Sequence, residues 1–159
     1  MLISAALISS LLLVAVLAAL SIKRIPEGQV HSLYRFGRPL RMLAPGTHVV
    51  LPLVDRVVHK ISLNGHALRL AESVALDASG THRVEGLVYW QVLEPERADE
   101  VIDDAENLIL RNALDALRDA PDLAAEAVAT RNARLKQALN QHLRPRGMLV
   151  TRVDLQLAA

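Results

Sequence analysis

The order of hydrophobic periods predicts an α+β protein: an N-terminal membrane-spanning helix, then a mostly antiparallel sheet with helices packed on one side. Three observations carry that expectation. Residues 2–22 hold no charged side chain. Residues 23–92 are β-branched and apolar segments broken by Pro and Gly. Beyond them come two helical stripes and one closing alternating segment.

The N-terminal run is dominated by Leu, Ile, Val and Ala. As a helix it rises about 30 Å, the depth of a bilayer's hydrocarbon core. Its serines are tolerable because a helical hydroxyl bonds back to a carbonyl one turn earlier. A cleaved signal peptide is the alternative, but it wants a basic start and a shorter apolar stretch. Here Met1 is followed directly by Leu2, and Lys23-Arg24 stand where a cleavage region would be. The expected division is therefore an anchor over 1–22 and a folded domain over 23–159. Lys23, Arg24, Arg35, Arg38 and Arg41 face a single acid, Glu27, near the span. The positive-inside rule then expects a single-pass protein of the cell (inner) membrane with its domain in the cytoplasm. The same cluster suits anionic lipid head groups.

Within the domain, Pro26-Glu27-Gly28 reads as a turn and 29–36 as a strand stopped by Gly37-Arg38-Pro39. Pro45-Gly46 is a tight turn. Residues 47–54 are nearly all apolar, and Pro52 demotes them to a short edge strand or loop. Val49, Val50, Leu51 and Leu53 there are either buried core or a segment that dips into the membrane beside the anchor. Asn64-Gly65 interrupts the β-rich stretch 56–70 and locally signals a hairpin. The clearest strand is 82–92, with Val84, Val88, Trp90 and Val92 on one face and Arg83, Glu85, Tyr89 and Gln91 on the other. Pro95 suits the start of a helix, and 105–120 carries Ile109, Ala113, Ala116 and Leu117 at helical spacing. Residues 123–143 form the longest helix of the domain, striped by Ala124, Val128, Leu135, Leu139 and Leu143. Pro145 and Gly147 end it, and 151–157 alternates as the last strand.

No catalytic apparatus is legible. Cysteine is absent, which removes disulfides, thiolate nucleophiles and Cys-ligated metal. The six histidines are scattered, with no pair at the i, i+4 spacing of a helical metal site. Asp77, Ser79 and His82 are triad-like residue types, but they crowd one turn and lack a nucleophile elbow. Glu94 and Glu96 flank Pro95 as acids that favour a helix start. No cofactor is expected. A net charge of +1 and 3% aromatic residues argue against nucleic acid as a partner. Arg131 at the edge of the last helical stripe, His142 within it, and Leu108 and Leu114 off the main face of the preceding helix are candidates for an interface between copies.

The motifs resemble a known family. Ile25-Pro26-Glu27-Gly28-Gln29-Val30, Tyr34-Arg35-Phe36-Gly37-Arg38, Leu43-Ala44-Pro45-Gly46-Thr47-His48 and Leu51-Pro52-Leu53-Val54-Asp55-Arg56-Val57 look like the opening of an SPFH (stomatin, prohibitin, flotillin, band 7) domain. Val84-Glu85-Gly86-Leu87-Val88-Tyr89-Trp90-Gln91-Val92 with Glu94-Pro95-Glu96-Arg97-Ala98 is similar to its central strand and helix start. Arg144-Pro145-Arg146-Gly147-Met148-Leu149-Val150-Thr151-Arg152-Val153 is similar to its helix-to-strand corner. The resemblance implies a slipin-like, non-enzymatic membrane scaffold. Such a protein self-associates, organises lipid microdomains and associates with membrane proteases. It also implies that 56–70 is one long curved strand, and that 49–54 rests at the membrane surface. Family members continue past the last strand into a long coiled coil. The last stripe here covers less than about three heptads, so the expected assembly is a small homo-oligomer or a subunit completed by a longer family member. The competing reading, a membrane-tethered hydrolase or protease subunit, needs an activated nucleophile or metal that no residue pattern supplies.

Overall fold

The computed structural model describes residues 2–76, 80–119 and 126–158. The chain divides into two compact units, 1–61 and 62–159.

The first unit opens with helix α1 (Leu2–Ser21), uncharged throughout. Among the described residues no helix is long and apolar enough to cross a membrane. The side chains of α1 are described from Leu7 onward, and residues 7–21 rise only about 22 Å. On that stretch Leu7, Ile8, Leu11, Leu12, Leu13, Val14, Val16 and Leu20 are all exposed. A helix apolar on every side has no surface suited to water.

Helix α1 ends one residue earlier than the sequence suggests, because Ile22 begins a strand. Strand β1 (Ile22–Ile25) pairs antiparallel with β4 (Gly46–Val49), in register from Ile22 opposite Val49 to Ile25 opposite Gly46. Backbone pairing thus recruits Lys23 and Arg24, whose side chains stay exposed. Strand β2 (Gln29–Arg35) turns through Phe36-Gly37 into β3 (Arg38–Leu43). The expected stop at 37–39 is therefore a hairpin. Pro39 is accommodated because β3 is an edge strand, paired on one side only with β2, and the register shifts by a bulge at Leu33/Tyr34. Ile25, Leu33, Leu43 and Val50 form this unit's core, with Val57 packed against them.

Residues 56–70 are neither a hairpin nor one curved strand. Strand β5 (Asp55–Ser62) belongs to the sheet of β2, and β6 (His66–Leu76) belongs to a separate sheet. Leu63, Asn64 and Gly65 carry the chain from one to the other, so Asn64-Gly65 breaks a strand without folding it back on itself.

The second unit is a sheet of order β6-β7-β8, all antiparallel, with β7 (Gly80–Val92) in the centre and β8 (Met148–Ala158) closing the chain. Val84, Val88, Trp90 and Val92 are buried as the alternation predicts. At Gly86 the β7 and β8 backbones leave no room for a side chain: a Cβ there would lie 1.9 Å from the Asp154 carbonyl oxygen. A short helix α2 (Pro95–Ala98) and a 3₁₀ turn lead to α3 (Ala105–Arg118), which buries Ala105, Ile109, Ala113 and Leu117. Helix α4 (Val128–Leu143) buries Arg131, Leu135, Leu139 and Leu143, one residue per turn. The expected helix began at 123; residues 120–125, Ala124 included, lie outside the described residues. Helix α3 packs on β6 and α4, and α4 packs on β8. After α4 the Gly147 carbonyl accepts the N–H groups of Leu93 and Glu94 at 2.8 and 3.0 Å, tying the corner to the end of β7.

Candidate membrane-facing surface

The end of α1 is fastened to the apolar loop of the same unit. The Val50 N–H donates to the Ser21 carbonyl at 2.8 Å, so the loop over 50–54 starts where the helix stops. Val50 itself is core, whereas Val49, Leu51 and Leu53 are exposed, Leu53 to 89%. Of this segment Val50 is therefore buried core, while its neighbours face outward.

A carboxylate shapes the loop. Asp55 Oδ2 accepts the Leu51 N–H at 3.1 Å, and the Asp55 and Val54 N–H groups donate to the Leu51 carbonyl at 2.8 and 3.2 Å. Arg35 at the end of β2 donates two hydrogen bonds to Asp55, Nε at 2.6 Å and Nη2 at 3.0 Å. The Arg35 guanidinium holds the Asp55 carboxyl below its ordinary range, helped by the Leu51 N–H and by Arg41. Ser32 and Tyr34 brace the neighbouring strand: Ser32 Oγ accepts the His59 N–H at 3.0 Å, and the Tyr34 ring meets His59 edge-on.

Beside this loop stands the β2–β3 turn. Phe36 adopts a positive φ of 50° and Gly37 one of 77°, the combination a two-residue type I′ hairpin requires. Glycine accepts it freely, while a phenylalanine there is strained. Phe36 is also 84% exposed. Phe36 and Leu53 border one hollow of about 600 Å³, together with Tyr34, Pro52, Val57 and Val58. Sequence reasoning passed over Phe36. Its signal was available: it is the sole phenylalanine, placed where Asn or Asp would suit the turn.

The basic candidates fall on this same unit. Lys23, Arg24, Arg38 and Arg41 are exposed, and Arg35 is partly so but committed to Asp55. The interface candidates are in the other unit. Arg131 is buried, and its Nη2 donates to the Leu155 carbonyl at 3.4 Å. Leu108 and Leu114 are half-buried, and His142 is exposed rather than within the α4 stripe. Asn132 Oδ1 is buried with no hydrogen-bond partner among the described residues. Asp77 and Ser79 lie outside the described residues. Among those described, no group of three His, Asp or Glu residues could hold a metal ion. Burial, helped by the Lys60 ammonium, pushes the His31 imidazole down from its usual value.

Mostly antiparallel sheets with helices, and a basic, apolar surface on the unit that opens with an uncharged helix, define the class as an α+β domain. Residues 23–157 match the SPFH domain / Band 7 family, and the chain belongs to that family. It is 26% identical over 123 residues to stomatin-like protein 2, mitochondrial, of Rattus norvegicus, covering 74% of this chain and 35% of that one. It is 25% identical over 95 residues to a stomatin-like protein of Caenorhabditis elegans, 59% of this chain and 29% of the other. An uncharacterised protein of Archaeoglobus fulgidus is 28% identical over 153 residues, 92% of this chain and 61% of its own. The chain spans about a third of the length of the stomatin-like relatives it matches.

Proposed function

We propose that this protein is a non-enzymatic scaffold subunit held in the cell membrane by α1, with its domain on the cytoplasmic side and its loop over 49–54 seated at the lipid surface. The observation that carries the reading is the Val50-to-Ser21 hydrogen bond, which fastens the exposed Leu51 and Leu53 beside the end of an uncharged helix. The uncharged run over residues 2–22, taken whole, would rise about 30 Å as a helix, the depth of a hydrocarbon core. Lys23, Arg24, Arg38 and Arg41 would meet anionic head groups, each worth about 1 kcal/mol near such a surface. Copies held in one membrane meet at high effective concentration, so weak contacts suffice for self-association. Lipid microdomain organisation and modulation of a membrane protease complete the reading; they rest on the family's character.

Alkaline extraction of native membranes tests it. The full-length chain should stay in the pellet, and after gentle solubilisation it should scatter light well above monomer mass. A soluble chain, or a strict monomer in detergents and nanodiscs, would sink the scaffold reading. An export-dependent reporter fused at Ala159 should stay silent; strong signal would reverse the topology.

A further inference from the structure

The two edges of the second unit's sheet differ. Asn140 on α4 makes both backbone bonds that a neighbouring strand would make to Val150. Its Nδ2 donates to the Val150 carbonyl at 3.0 Å, and the Val150 N–H donates to its Oδ1 at 2.8 Å. Further along β8, Arg131 donates to the Leu155 carbonyl. Side chains of α4 thus occupy edge groups of β8, a natural way to blunt a sheet edge.

On β6, where α3 packs, no side chain among the described residues makes comparable bonds. This 11-residue strand pairs with β7 without a register shift, from His66 opposite Trp90 to Leu76 opposite Gly80. It holds no Pro, Gly or Lys, and among the described residues no group bonds to its outer edge. Long, regular, unguarded edges are templates for pairing.

We propose that the outer edge of β6 pairs antiparallel with β6 of a second copy, joining two three-stranded sheets into one. The inference rests on the self-associating reading above and names a surface for it. Two copies keep their buried faces on the same side only if residues of like parity stand opposite each other. With Leu70 opposite Leu70 of the second copy, Arg69 falls opposite Ala71 of that copy. In each copy Ala71 is paired with Glu85 on β7. Arg69, Ala71 and Glu85 alternate with the buried Leu70 and Val84, so they share the opposite face. Arg69 is exposed and has no carboxylate partner among the described residues. It would reach over the small Ala71 to Glu85 of the second copy, and the two-fold axis repeats the contact. Within its own copy Glu85 pairs with the exposed Arg83. This doubled charge match favours a second copy over an unrelated extended peptide.

The chain has no cysteine, so single cysteines report position cleanly. The full chain in lipid vesicles would carry Ala71→Cys or, as the guarded-edge control, Thr151→Cys, and be treated with a short bis-maleimide. Ala71→Cys should link into dimers and Thr151→Cys should not. Arg69→Glu should weaken dimerisation about tenfold, through two lost cross-strand ion pairs. Arg69→Glu with Glu85→Arg should restore it, with circular dichroism confirming the fold throughout. An assembly above monomer mass in which Ala71→Cys stays unlinked, or Thr151→Cys links equally, overturns edge pairing and leaves self-association standing. Linking unaffected by Arg69→Glu overturns the register. Monomer mass in every variant overturns both proposals.

Discussion

Asp55 grips Arg35 through both carboxylate oxygens, at 2.6 and 3.0 Å, and with one of them also takes the Leu51 N–H. One carboxylate therefore joins the end of β2, the start of β5 and the loop that displays Leu53. Because its folded pKa is depressed, its stabilisation is fully present above the ordinary carboxylate range, near 4. It is lost as pH falls through the lower folded value. Exchange of the Leu51 amide, corrected for its intrinsic pH dependence, should accelerate as pH drops from 5 toward 3. Asp55→Asn should remove that acid dependence and raise exchange already at pH 7.

Gly86 leaves no room for a side chain between β7 and β8, with the Asp154 carbonyl where a methyl group would go. Gly86→Ala forces the backbones of β7 and β8 apart, and overpacking of this kind costs about 1–3 kcal/mol. Urea unfolding should show a lowered midpoint with an unchanged slope. An unchanged midpoint would mean that the strands yield freely there.

The alternating apolar pattern made β7 legible, since the period-2 burial of Val84, Val88, Trp90 and Val92 is local information. The same holds for α3, whose buried residues recur at helical spacing. Strands β1 and β3 were not legible, because exposed Lys23, Arg24, Arg38 and Arg41 fill them and pairing across the sheet decides their state. Asn64-Gly65 has the composition of a hairpin turn, but its flanking strands find partners in different sheets. At the candidate surface, residues 49–53 stood out by their apolarity. The grip of Asp55 on Arg35 joins residues twenty apart in sequence, which no local pattern reports.

Arg131 occupies a core position of α4, in line with Leu135, Leu139 and Leu143. Arg131→Met should cost about 1–3 kcal/mol by leaving the Leu155 carbonyl short of a donor. Arg131→Glu should cost more, because it buries a carboxylate against that carbonyl. Both losses should be independent of protein concentration in thermal unfolding. A loss that disappears on dilution would place Arg131 in an interface instead.

Depth-resolved fluorescence of Leu53→Trp tests the membrane-seated surface most directly. Trp90 is the sole tryptophan, and its Nε1 has no hydrogen-bond partner among the described residues, so Trp90→Phe gives a dark background that forfeits no such bond. In anionic vesicles containing brominated lipid, Trp at position 53 should shift to the blue. Bromines near the head groups should quench it more strongly than bromines at the bilayer centre. Emission characteristic of water, unquenched by either lipid in a chain that remains membrane-bound, would contradict the account.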